Sequence, residues 1–307
     1  MANQSGEEAF DHDVVVVGGG PAGCAAGVFT ARYGLETEIF DRGRSSIQQC
    51  AHLENYLGFP GGIDVATFGD LIHDQAESAG CAIVPDLVES VERADDDGFL
   101  VEPQTGEPVT ARRVIAATRY GGEYLRGLDD EDAMFETHEY DGETEEYFDK
   151  QYAESDGTTP VDGLFIASPY AETSPQAIMA AGHGARVGVA VVEAVRREQG
   201  YPDSVADYYD WVRPESERTG EWSDRDRWRE FFENRFPDDH ELSPNRVAEI
   251  REREIDRRFD MYISEEEAER RATAGQRRLL DHIDDDLVVE AAREIEAERE
   301  ESAATDD

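Results

Sequence analysis

Four consecutive valines, Val14–Val17, follow Asp13 and run straight into Gly18-Gly19-Gly20-Pro21-Ala22-Gly23. A stretch so short and so uniformly apolar predicts a strand buried on both faces, as in a parallel sheet. A helix then opens at the glycines and closes at Gly34 as a C-cap, and Glu36–Phe40 predicts a second strand ending at Asp41. The loop from Arg42 to Gly62 is too rich in glycine and proline for a helix or a central strand. Beyond it, Phe68, Leu71, Ile72, Gln75 and Ala76 recur with helical spacing over Thr67–Ala79, and Gly80 stops that helix. Cys81–Val84 reads as a short third strand. Leu87–Ala94, Phe99–Glu102 and Val109–Ala117 read as a three-stranded meander that turns at Asp97-Gly98 and Thr105-Gly106, and its last strand is apolar enough to return to the core.

The glycines have separate roles in this pattern. Gly18 permits a tight turn, Gly20 lets backbone approach a pyrophosphate, and Gly23 allows the helix to press on the strand, while Pro21 and Ala22 open that helix. A helix N-terminus offers unpaired N–H groups and partial positive charge, which suit an anion without a basic side chain. Asp41 stands eighteen residues after Gly23, where an acid accepts hydrogen bonds from a ribose diol and repels a 2′-phosphate. Strand, glycines, helix and acid in register predict a dinucleotide site.

Charge changes the picture of where such a protein works. The 307 residues include 72 acids and 29 bases, a formal net charge of −43, and Lys150 is the only lysine. Such self-repulsion is relieved by screening near molar salt, so the composition is that expected of a salt-loving, haloarchaeal-type source. Nucleic acid and anionic membranes are excluded as expected partners, no transmembrane run or signal peptide is expected, and the expected location is cytoplasmic. Three cysteines, Cys24, Cys50 and Cys81, without a CxxC fit a reducing compartment. Cys24 and Cys81 read as buried, and Cys50 as a non-catalytic thiol. No metal-ligand cluster stands out.

Further segments carry a resemblance. Glu54-Asn55-Tyr56-Leu57-Gly58-Phe59-Pro60, Ala117-Thr118, Gly163–Ala167 and Gln176–Gly184, in that order after the glycine loop and Asp41, make the chain similar to the FAD domain of low-molecular-weight thioredoxin reductases over about its first 195 residues. The resemblance implies an α/β fold with a Rossmann-like FAD-binding domain of parallel sheet and β-meander. It implies FAD as cofactor, with Asn55, Thr118, Gln176 and Ala177 joining Gly18, Gly20, Pro21, Ala22, Gly23 and Asp41 around it. In that family the helix beginning near Gln176 points its N-terminus at the pyrimidine edge of the flavin, where negative charge develops on reduction. His52 and His183 are expected in the two loops near the flavin, each placed to donate a proton, although a structural role is favoured for His183. No catalytic residue is assigned.

Three departures qualify the resemblance. The family inserts an NADPH domain with its own glycine fingerprint and CxxC between the equivalents of Thr118 and Gly163. Here about forty residues intervene, and 126–160 carry thirteen acids against Arg126 and Lys150, which reads as a solvated acidic connector. Arg119 replaces the glycine of the usual Ala-Thr-Gly. Ser168-Pro169 replaces the usual Gly-Asp whose carboxylate holds the ribityl chain, leaving Ser168 or Glu172 to substitute.

The expected organisation is a tail at 1–12, the FAD-binding domain at 13–199, an α-helical region at 200–301 and a tail at 302–307. Ser243-Pro244 and the capping box Ser264 with Glu267 start helices, and Tyr208, Tyr209, Trp211, Trp222, Trp228, Phe231, Phe232 and Phe236 read as core or docking surface. Two functions stay open: an FAD-dependent oxidoreductase reduced by a separate protein or by diffusible NAD(P)H, and a catalytically silent dinucleotide-binding partner. A homodimer is compatible with either.

Overall fold

The computed structural model describes residues 10–305 apart from 95–96, 120, 141–142, 172–175, 238–239 and 241, so Glu172 lies outside the described residues. The chain forms two compact units, Met1–Asp210 with Phe236–His240, and Trp211–Arg235 with Glu241–Asp307.

The first unit is built on β1 (His12–Val17), α1 (Pro21–Tyr33) and β2 (Thr37–Phe40). Val15 and Val17 point to one hydrophobic cluster and Val14 and Val16 to another. The valine run is therefore the mark of a strand covered on both faces. Gly34 ends α1 in the left-handed region at φ 101°. A short antiparallel pair, β3 (His52–Leu53) with β4 (Ile63–Asp64), interrupts the expected loop. Asp64 accepts from the Thr67 N–H and caps α2 (Val65–Ala79), which Gly80 ends at φ 110°. On α2, Gln75 is exposed and does not join the inward face, whereas Phe68 and Ala76 are buried.

β5 (Ala82–Val84), β6 (Val88–Arg93), β7 (Phe99–Pro103) and β8 (Val109–Ala117) complete the sheet together with β11 (Leu164–Ser168). Its order is β5-β2-β1-β8-β7-β6. β8 is the branching strand. It runs parallel to β1 along one edge, while on the other Val109–Ala111 pair antiparallel with β7 and Val114–Ala117 pair parallel with β11. The meander and the nucleotide-binding sheet thus share one strand.

Residues 126–160 are not the solvated connector expected from their charge. They form α3 (Glu131–Met134) and a hairpin of β9 (Phe135–Tyr140) and β10 (Glu143–Phe148). Met134, Phe135, Phe148 and Ala153 are buried in the same cluster as Val15 and Leu164. Phe135 and Phe148 meet edge to face at 5.7 Å, and Arg126 lies 4.0 Å over Phe135. Most of the described acids of this segment are exposed, so net charge conceals the few apolar residues that anchor it.

β11 (Leu164–Ser168) leads to α4 (Ala177–Glu198), which packs on α1 and β11. A Cβ on Gly184 would fall 2.0 Å from the Ala22 carbonyl oxygen and one on Gly188 2.6 Å from that of Ala26, so these glycines set the close approach of the helices. Contrary to expectation, α4 is long and apolar enough to cross a membrane by length and composition. Its small residues, which count as apolar, are used here for helix contact. The first unit also continues past residue 199. The buried Arg196 donates to the carbonyls of Val205 (2.8 Å) and Ala206 (2.7 Å), next to α5 (Asp203–Ala206), and Tyr208 packs on Tyr33 at 5.2 Å. Tyr208 and Tyr209 therefore belong to this unit and not to the later aromatic cluster.

The second unit contains β12 (Arg213–Pro214), α6 (Arg225–Glu233), α7 (Pro244–Asp260), β13 (Tyr262–Ile263), α8 (Glu265–Leu280) and α9 (Asp285–Thr305). Ser243 and Ser264 accept from the N–H groups of Arg246 and Glu267, as their sequence positions predict. Trp222, Trp228, Phe231 and Phe232 form one aromatic cluster, and Arg225 and Arg229 of α6 clasp Glu252 of α7 at 3.1 and 2.8 Å. α9 runs through residues 302–305, four of the six expected as tail, because Ala303 and Ala304 favour helix.

Candidate functional site

The turn after β1 requires its glycines for different reasons. Gly18 has φ 116°, donates to the Phe40 carbonyl at 2.9 Å, and would place a Cβ 2.7 Å from the Ala117 carbonyl oxygen. At Gly23 a Cβ would stand 1.8 Å from the Gly18 carbonyl oxygen, so only glycine lets α1 begin against the turn. Gly20 differs: a Cβ there would meet only the Ser45 side chain, its hydroxyl at 3.0 Å. That face of the turn is open. α1 begins with Pro21, has no acid in its first turn and receives no side-chain cap, which leaves its N-terminus to an external anion.

A cavity of about 1160 Å³ opens from this turn. Gly18, Gly20, Pro21, Ala22, Asp41, Asn55, Thr118, Gln176 and Ala177 all line it, and Gly23 stands behind the turn. The lining thus gathers residues from five separate stretches of sequence. Asn55 Nδ2 donates to Gln176 Oε1 at 2.7 Å, tying the loop after β3 to the start of α4. That loop is seated by Tyr56 and Phe59, which pack around Phe68 of α2 at 4.8 and 6.1 Å. The Thr118 hydroxyl donates to the Gly121 carbonyl at 3.0 Å and lies 3.2 Å from the Tyr124 hydroxyl. Burial pushes the Tyr124 phenol well above its usual range, so it stays neutral and able to donate.

Asp41 is not alone at the ribose position. Its Oδ1 accepts from the Gly43 N–H at 3.0 Å, and its Oδ2 lies 3.2 Å from His73 Nε2. The same His73 nitrogen is 2.9 Å from the Gly19 carbonyl oxygen. The hydrogen bond to Asp41 pushes the His73 pKa up to about 11, and His73 in turn holds the Asp41 carboxyl below its usual range. Sequence reading missed His73. Its signal was a polar residue one position beyond Ile72 on the inward side of α2.

The expected histidines separate. His52 is an exposed residue of β3 that lines the cavity. His183 lies inside α4 and not in a loop: Gly184 beside it is a helix-contact position, while a Cβ on Gly182 would meet nothing within 4 Å. It is buried, stacks on Tyr170 at 4.4 Å, and burial lowers its pKa. It does not line the cavity, whereas Tyr170 does. Ser168, Pro169 and Arg119 reach the cavity wall, as do Lys150 and the exposed Cys50, while Cys24 and Cys81 are buried. Among the described residues, no group of His, Cys, Asp and Glu is placed to hold a metal.

Comparison with known proteins places this geometry. Residues 12–123 match the pyridine nucleotide-disulphide oxidoreductase family. The chain is 32% identical over 126 residues to the thioredoxin reductase of Streptomyces clavuligerus, an alignment that covers 40% of this chain and 38% of that protein. With the thioredoxin reductase of Aquifex aeolicus it is 33% identical over 75 residues, 24% of this chain and 23% of the other. The matched family and these relatives are FAD-binding flavoproteins. A thioredoxin reductase structure from Gloeobacter violaceus superposes with a TM-score of 0.51 at 18% identity, covering 67% of this chain and all of that one, which establishes the shared fold. The chain spans well under half the length of the curated relatives it matches. The residues present fit FAD: the open face at Gly20 and the uncapped α1 suit the diphosphate, Asp41 suits the adenosine ribose, and the α4 N-terminus suits the flavin end.

Proposed function

We propose that this chain is a thioredoxin reductase-like FAD-dependent oxidoreductase that works in the cytoplasm of a salt-loving cell without an NADPH domain or a redox dithiol of its own. The observation that carries this reading is the single cavity joining the glycine loop, Asp41, Asn55, Thr118, Gln176 and Ala177. Bound FAD supplies hydride or single-electron transfer. The chain's own residues orient and bind. α1 and Gly20 receive the diphosphate, Asp41 accepts from the ribose, and the N-terminus of α4 faces the flavin end with no acid in its first turn. Positive potential from that N-terminus favours charge that develops on reduction. The buried cluster behind Val17, Leu125 and Ile166 backs the sheet that carries the site.

Electrons are proposed to come from a separate donor protein or from diffusible NAD(P)H, because the three cysteines include no CxxC and the hairpin at 135–148 stands where the family's insertion begins. The test is anaerobic mixing of the FAD-loaded protein with NADH or NADPH in molar KCl. Bleaching of the flavin band supports direct reduction, and bleaching only with an added reductase supports a protein donor. The pure protein should not reduce thioredoxin with NADPH, and turnover lost in Cys50→Ser would overturn that part. A catalytically silent FAD-binding partner is the second reading, favoured by Ser168 and Pro169 at the cavity wall. A bound flavin that neither nucleotide nor any cell reductase fraction reduces decides for it.

A further inference from the structure

We propose that His73 is a positioning residue of the FAD site: as an imidazolium it clamps the Gly19 carbonyl and the Asp41 carboxylate together beneath the diphosphate. The proposal rests on the FAD reading above and assigns the cation that the glycine loop lacks.

The geometry is specific. His73 Nε2–H donates toward two acceptors, the Gly19 carbonyl oxygen at 2.9 Å and Asp41 Oδ2 at 3.2 Å. The Gly19 carbonyl also accepts from Cys24 Sγ at 3.2 Å, so α1 and α2 hold it from within the protein and turn it from the face where a phosphate would sit. A Cβ on Gly19 would strike Asp41 Cβ at 2.5 Å, so turn and carboxylate already touch. The Asp41 side chain is only 11% exposed.

Charge supplies the reason for the arrangement. A nearly buried carboxylate beside a diphosphate, in a chain of net charge −43, repels its ligand and favours its own protonation unless a cation offsets it. Arg42 and Arg44 line the cavity but are exposed and screened. His73, on α2, is the half-buried base that meets Asp41 directly. The groups facing it are Asp41 and, beyond it, Arg42 on the loop after β2, and Cys24 on α1; its own helix adds Asp70, Asp74 and Glu77 within about a turn. The strong upward shift of its pKa follows first from Asp41. Charged His73 keeps Asp41 ionised, and ionised Asp41 accepts from the ribose hydroxyls.

The sign of the pH dependence follows. The Asp41 pKa is depressed while His73 is charged, so FAD affinity is held as pH falls until Asp41 takes up its proton. Removing the cation raises the Asp41 pKa and moves that loss to higher pH. The experiment titrates FAD and, separately, ADP into the parent, His73→Gln and His73→Arg in molar KCl across pH 4 to 9, with thermal melts of each. The expected result is about a tenfold loss of affinity in H73Q for both ligands, an acid limb shifted to higher pH, and restoration of both by H73R. Imidazole ¹⁵N shifts of the apo parent at pH 8 should show doubly protonated His73. A neutral imidazole, or H73Q with unchanged affinity and acid limb, overturns this proposal alone. A parent that binds neither FAD nor ADP sinks the FAD reading and this one together.

Discussion

Asn55 and Gln176 meet at 2.7 Å, amide to amide, although a full strand, meander and hairpin separate them along the chain. Gln176 is the residue before α4, and its side chain makes no capping bond to its own helix. Its amide oxygen is turned instead to Asn55, so the N-terminal N–H groups of α4 remain available at the cavity. Asn55→Ala should lower FAD affinity about two- to twelvefold, the size of one hydrogen bond of roughly 0.5–1.5 kcal/mol. Because Asn55 is exposed, the melting temperature of the apo-protein should stay close to that of the parent. Calorimetric titration of FAD checks this, and an unchanged affinity means the contact is incidental.

Gly20 and Gly23 should respond differently to the same change. Gly20→Val meets only the Ser45 side chain and should fold, yet its side chain fills the space needed by the diphosphate, abolishing FAD binding. Gly23→Val drives its Cβ into the Gly18 carbonyl oxygen and should cost about 4 kcal/mol or more of stability. Circular dichroism melts beside FAD titrations separate the two. A stable Gly23→Val that still binds FAD contradicts the packing described for α1.

Ser168 and Pro169 line the cavity where the related enzymes are expected to carry a ribityl-binding carboxylate. Converting the pair to Gly-Asp should tighten FAD by about 1.5–3 kcal/mol, the range for a hydrogen bond involving a charged group. Weaker binding in the converted protein would show that Ser168 already serves that contact.

Stability should rise with KCl into the molar range. With 72 acids against 29 bases, repulsion is distributed over the whole surface, and screening relieves it. Thermal melts from low to high KCl test this; a melting temperature indifferent to salt means that the acidic surface does not limit folding.

The fold was legible wherever a local rule had one physical outcome. Val14–Val17 had to be covered on both faces, Gly34 and Gly80 had to end helices in the left-handed region, and Asp41 had to follow β2. Asn55 and Gln176 were legible only through resemblance, since no local pattern brings them together. His73 was hidden because its partners, Gly19 and Asp41, are joined to it by the packing of α2 on α1, a tertiary fact. The hairpin at 135–148 was concealed by its own charge, which masked Phe135 and Phe148. The boundary expected at 199 falls short because the buried Arg196 donates to the carbonyls of Val205 and Ala206, which carries the first unit past it.

The most direct test of the account is a titration of FAD into the apo-protein in molar KCl, followed by flavin absorbance and fluorescence, with Gly20→Val alongside. Saturation at one FAD per chain in the parent and none in Gly20→Val is the predicted result; no saturable binding by a parent that melts cooperatively would contradict it.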